Sequence, residues 1–130
     1  MAEQQAISEL LHAYGAALDK GNVDETVALY TDDGVFMAPG YQPMVGTEAL
    51  RKSYERVFAS TRLDIEFDLL EIVITSAEWA FARSTATGTK LFIQRGDSEP
   101  HANQELFILR KVDGSWKIAR YAFSSMKPIV

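Results

Sequence analysis

Three tyrosines and one glutamate are the residues of this chain best placed for chemistry. Tyr14 shares an apolar stripe with Ile7, Leu11 and Leu18, at +4, +3, +4 spacing. Tyr30, in "ALYTDD", and Tyr54, in "RKSYE", also fall on apolar stripes. Glu105 sits in "NQELFIL", where strand alternation puts Asn103, Glu105, Phe107 and Leu109 on one face. A phenol or carboxyl taken out of water interacts strongly with any charge that develops beside it. Each residue also has a plainer role. A tyrosine can simply fill core with its hydroxyl satisfied nearby. Glu105 is either a cavity group or a strand-end group in water.

The remaining polar residues are less pointed. His101 opens a strand and reaches either a cavity mouth or an open edge. His12 lies off its helix stripe and is expected in solvent. Asp32 and Asp33 are consecutive, so their side chains diverge, and they cap a turn. Arg83 shares strand parity with Trp79 and Phe81 and is expected to pair with an acid, in a cavity or across a sheet interface. Two distant histidines without a nearby carboxylate pattern make poor metal ligands, so no metal site or other cofactor is predicted. No nucleophile triad, phosphate loop or dinucleotide fingerprint is present.

The elements that must position these groups follow from periodicity. The Ile7–Leu18 stripe predicts a helix over about 3–19, ended by "DKGN" with Gly21 in a left-handed exit. Asn22 and Glu25 form a capping-box pattern for a second, shorter helix carrying Val23, Val27 and Tyr30. "TDDG" is read as a turn and "VFM" as a short strand. "APGYQPMVG" is read as a loop. Thr47 is expected to cap a third helix, with Leu50, Tyr54, Val57 and Phe58 on its apolar face. Leu63, Ile65, Phe67 and Leu69 then alternate with acids, and the phase slips to Leu70, Ile72 and Ile74, the mark of a bulged strand. Strands follow over about 78–93, 101–111 and 115–125, the last two joined at Asp113-Gly114 as a hairpin. Tyr121 and Phe123 are read on the outward parity of the last strand, and Trp116 and Ile118 as core. The order predicts an α+β fold, three N-terminal helices on a curved, mostly antiparallel sheet.

At 130 residues the chain suits one domain, 1–130. Its net charge is −5 and no block of Lys and Arg stands out, which argues against a nucleic-acid groove or an anionic membrane surface. The absence of cysteine excludes disulfides and thiolate chemistry. The opening residues lack the basic front of a signal peptide, and no apolar run approaches a membrane span. A cytoplasmic location is the expectation.

Three stretches, "YGAALDKGNVDETVALYTDDGVFMAPG", "GTEALRKSYE" and "GSWKIARYAF", carry a resemblance that spans nearly the whole chain. The sequence resembles the nuclear transport factor 2-like superfamily, the cone-shaped fold of ketosteroid isomerases and SnoaL-like cyclases. The resemblance implies an open-ended apolar cavity. In the isomerases an Asp base moves a proton, while a Tyr and a protonated Asp bind the enolate oxygen. By resemblance Tyr14 is that Tyr and Tyr30 and Tyr54 are its supports. Glu105 falls near the protonated Asp, if the terminal hairpin carries one extra residue. The base position, just before Pro39, holds Ala38, which cannot accept a proton. The SnoaL-like cyclases imply an Asp near position 121, where this chain has Tyr121.

Two functions stay open. One is an enzyme acting on a small apolar carbonyl compound, with Tyr14 and Glu105 as oxyanion donors and a base elsewhere, at His101 or Glu105 itself. Tyr30, Tyr54, Ala38, Asn103 and His101 would then line the ligand site. The other is a non-catalytic ligand-binding or association domain, which the missing base favours. A homodimer through the open face of the sheet is expected in either case, because a broad apolar sheet face rarely stays exposed.

Overall fold

The computed structural model describes residues 2–126. Helix α1 spans Ala2–Lys20 and buries Ile7, Leu11, Tyr14 and Leu18, the stripe expected from spacing. The helix ends as expected at Gly21, φ +65. The Gly21 N–H bonds to the Leu18 carbonyl and the Asn22 N–H to the Ala17 carbonyl, which together make a Schellman closure. Asn22 then caps α2 (Val23–Ala28), its side chain accepting from the Glu25 N–H.

Tyr30 is not part of α2. The helix stops at Ala28, and Tyr30 opens strand β1 (Tyr30–Met37). The reason is tertiary: the Leu29 carbonyl accepts from the Ile118 N–H, so the last strand pulls the chain out of helix here. "TDDG" is consequently an irregular stretch inside β1, between Tyr30 and Val35, rather than a separate turn. Asp32 and Asp33 are exposed there, and Asp33 accepts from the Thr31 hydroxyl. A two-residue strand β2 (Met44–Val45), hidden within the Pro- and Gly-rich loop, pairs with β1.

Helix α3 (Thr47–Ser60) buries Leu50, Ser53, Tyr54 and Phe58. Thr47 does not cap it. Gly46 holds the N-cap position at φ +88 without a side-chain bond, and Thr47 is the first helical residue. The sheet is then completed by β3 (Thr61–Ile74), β4 (Trp79–Phe92), β5 (Ser98–Val112) and β6 (Ser115–Ser125). Strand order is β2-β1-β6-β5-β4-β3. All neighbours are antiparallel except β1 and β6. This is an α+β fold with helices packed on a curved, unclosed sheet.

The β3 slip is present as a register shift between Leu69 and Glu71. Opposite β3, Gly88 permits a close approach: a Cβ there would lie 2.1 Å from the Asp64 carbonyl oxygen. A second shift reverses the expected parity of β6. Ile108 pairs with Arg120 and Leu109 with Ile118, so Ala119 is the extra residue of a bulge. Ile118 and Ala119 are both buried, and beyond them Tyr121 and Phe123 turn inward. Tyr121 is 3% exposed, not outward-facing. Trp116 and Ile118 are core as expected. Arg83 pairs at 2.6 Å with Glu71, its neighbour on β3, on the outer face and not in a cavity. No helix among the described residues is long and apolar enough to cross a membrane.

Candidate functional site

Helices and curved sheet enclose a cavity of about 800 Å3. Its deep end is built from Tyr14 on α1, Tyr54 on α3, Glu105 on β5 and Tyr121 on β6, all buried. Phe36, Leu63, Ile65 and Phe123 supply apolar wall. Exposed Pro39, Gln42, Glu99 and Pro100 form the rim.

Stacking fixes the deep end. The Phe107 and Tyr121 rings lie 4.3 Å apart at 3°. Tyr14 meets both edge-on, at 5.7 and 5.3 Å. Phe36 stacks on Tyr54 and on Tyr121, each at 5.3 Å. Such contacts lock ring orientation and so aim the hydroxyls.

Two hydrogen-bonded groups result. In the first, the Tyr54 hydroxyl lies 2.7 Å from those of both Tyr14 and Tyr30. Three hydroxyls bring three hydrogens, and two are used inside the chain. Tyr30 lies outside the cavity lining, whereas Tyr14 is part of it. Either hydroxyl of each pair can donate; the order Tyr30 to Tyr54 to Tyr14 is the one that leaves the spare hydrogen on Tyr14, at the cavity, for a ligand. Burial pushes the Tyr14 hydroxyl well above the usual phenol range, and the bond from Tyr54 pulls the other way. The first cause keeps Tyr14 protonated; the second strengthens it as a donor.

In the second group, Glu105 Oε1 accepts from the Ser84 hydroxyl at 2.7 Å and Oε2 accepts from Tyr121. Ser84 stands directly across from Glu105 in the β4–β5 register. Burial raises the Glu105 carboxyl above its ordinary range, opposed by the bonds from Tyr121 and then Ser84. The partners Ser84 and Tyr121 escaped the sequence reading. Ser84 had a signal: it shares the buried parity of Ala80, Ala82 and Ala86.

Of the other expected ligand-lining residues, Ala38, Asn103 and His101 are at the cavity, whereas Tyr30 is not: its hydroxyl is turned to Tyr54 and its side chain is outside the lining. Ala38 lines the cavity, half-buried, immediately after β1. His101 and Asn103 line it too, on the Glu105 face of β5, and Asn103 Nδ2 donates to His101 Nε2 at 3.1 Å. Tyr30 supports from behind. His12 is exposed, its Nδ1 donates to the Ser8 carbonyl at 2.8 Å and lies 3.3 Å from the Ser8 hydroxyl, and it is not part of the cavity lining.

The family model of the SnoaL-like domain matches residues 11–121. This chain belongs to the SnoaL-like family. The SnoaL-like chain is 41% identical to a ketosteroid isomerase-like protein from Erwinia carotovora atroseptica SCRI1043, with a TM-score of 0.92 over 95% of this chain and 96% of that one. Two more distant likenesses bear on the fold alone. One is an NTF2-like protein with a cystatin-like fold from Novosphingobium aromaticivorans, at 18% identity and TM-score 0.74 over 95% and 82% of the two chains. The other is a hexachlorocyclohexane dehydrochlorinase (LinA) type 2, at 17% and 0.86 over 97% and 86%. No curated protein matches this SnoaL-like chain.

Proposed function

We propose that the cavity binds a small, mostly apolar carbonyl compound and stabilises negative charge developing on its oxygen. One observation carries this reading: the bonded hydroxyls of Tyr30, Tyr54 and Tyr14 meet an aromatic-walled cavity at the buried Tyr14. A fixed donor in a low-dielectric site costs no reorganisation when charge appears. The wall selects an apolar body, and Tyr14 orients one oxygen. The family likeness to a ketosteroid isomerase-like protein agrees with enolate chemistry. Ala38 at the mouth brings no carboxylate, which favours a second reading, a binding domain that holds such a ligand without turning it over.

β-Naphthol, whose aromatic oxygen mimics an enolate, tests the first reading. Tyr14→Phe is expected to weaken binding of its naphtholate form at least about tenfold, the loss of one hydrogen bond to a charged oxygen. The same change should cost about 1 kcal/mol of stability or less, because Tyr30 and Tyr54 remain bonded to each other. Fluorescence titration measures the first and denaturant unfolding the second. Equal binding by both proteins would make Tyr14 plain core.

A homodimer is the accompanying proposal. Trp79, Leu106 and Ile108 are exposed on the outer sheet face, with Phe81 paired beside Ile108. Sedimentation at micromolar concentration is expected to give a dimer, and Ile108→Glu a monomer. A wild-type monomer would refute it.

A further inference from the structure

We propose that Glu105 is the general base of this site, taking a proton from the carbon next to the carbonyl whose oxygen rests on Tyr14. The inference deepens the reading above and rests on it for the placement of the oxygen. Glu105 is the one buried carboxyl lining the cavity among the described residues; the other lining acid, Glu99, is exposed at the rim. Each of its oxygens receives a hydroxyl hydrogen, Oε1 from Ser84 and Oε2 from Tyr121. Donors on both oxygens favour the ionised carboxylate, and each oxygen keeps a lone pair for a proton. A carboxyl meant to donate its own hydrogen to a ligand gains nothing from two donors aimed at it.

Location fits the task. Tyr14 touches Tyr121 edge-on, and Tyr121 bonds to Glu105, so donor and base share the deep end of one cavity. Ser84 from β4 and Tyr121 from β6 bond to Glu105, and the phenols of Tyr14 from α1, Tyr54 from α3 and Tyr30 from β1 are near enough to feel its charge. None of these is a cation. His101 lies four residues away on β5, and Arg56 and Lys90 line the cavity from α3 and β4. Burial raises the carboxyl and brings its basicity closer to that needed near neutral pH.

The step balances simply. The C–H bond beside the carbonyl breaks, and its proton goes to a Glu105 oxygen. Its electron pair forms the C=C bond, and the carbonyl π pair moves to the oxygen held by Tyr14. Reversal returns a proton to carbon. In deuterated water this exchanges the hydrogens next to the carbonyl.

β-Tetralone is the probe, with exchange followed by NMR. Wild type is expected to accelerate exchange, at a rate that rises with pH as Glu105 ionises and then levels. Glu105→Gln should lose about 10²–10⁴-fold yet keep β-naphthol binding, since an amide cannot take the proton but preserves shape. Glu105→Asp should retain part of the rate. Three results would overturn the proposal: no acceleration by wild type, undiminished exchange by Glu105→Gln, or a rate that falls as pH rises, the mark of a neutral acid donor. The wild-type pH profile requires no variant to fold. Failure of the Tyr14 reading looks different: Tyr14→Phe would bind β-naphthol undiminished while Glu105→Gln still lost exchange.

Discussion

Ala38→Asp is expected to restore proton transfer to a protein whose Glu105 has been replaced by glutamine. Position 38 lines the cavity immediately after β1, and its side chain packs against the core cluster. An aspartate there enters the same chamber as Tyr14 from the mouth side. Partial desolvation raises a carboxyl's pKa, which makes it a stronger base. A positioned general base contributes about 10²–10⁴-fold. The double variant should exceed Glu105→Gln by a factor in that range in exchange of β-tetralone hydrogens. The Glu105→Gln background removes the buried carboxylate, and His101 and Glu99 are the same in both proteins, so a gain over Glu105→Gln belongs to position 38. Stability should fall modestly, because the new carboxylate has no built partner. NMR exchange rates, read with a thermal unfolding curve, check both parts. A folded double variant that binds β-naphthol and exchanges no faster than Glu105→Gln would place position 38 out of reach of the ligand.

The second large effect is alkaline unfolding. Tyr14, Tyr30, Tyr54 and Tyr121 all lie in the core. Burial raises each of them well above the ordinary phenol value of about 10, with neighbouring phenols and Glu105 adding repulsion. The unfolded chain releases its phenolic protons around that ordinary value, while the folded chain holds them. Folding therefore binds more protons than the unfolded state above pH 10, and stability must fall as pH rises. The stabilisation is intact below the unfolded pKa and is lost as pH climbs from there towards the folded values. Each tyrosine contributes a slope of about 1.4 kcal/mol per pH unit once the unfolded phenol is ionised, so four give about 5.5 kcal/mol per unit. A total stability of about 5–15 kcal/mol does not survive many such units. Phenolate absorbance and circular dichroism, followed together through a rising pH series, are expected to change in one cooperative step. Buried phenols titrating while the circular dichroism stays native would contradict this account.

How much of this was legible in the residues differs from element to element. The α1 stripe, the α3 face and the alternation of β3 with its slip at Leu69 are local patterns, and local patterns carry period. The Asp113-Gly114 hairpin was equally plain: both residues sit at positive φ, 51 and 81, as such a turn requires. Tyr30 was misplaced because Val27 and Tyr30 fit either a helix stripe or a strand start, and the deciding bond comes from Ile118, far along the chain. β2 was hidden because two residues paired to β1 have no periodicity of their own.

Local residue patterns were enough for the α+β class, the order of the long elements and the apolar settings of Tyr14, Tyr54 and Glu105. These depend on spacing within a few turns or strand residues. The tertiary structure decided which polar groups meet. Tyr121 was read as facing outward, and one bulge at Ala119 turns it onto Glu105. Ser84 reaches the same carboxyl through cross-strand register, and Tyr54 joins Tyr14 to Tyr30 across separations of 40 and 24 residues. Strand parity changes with a single inserted residue, and no local pattern within β5 or β6 encodes the pairing that places that residue.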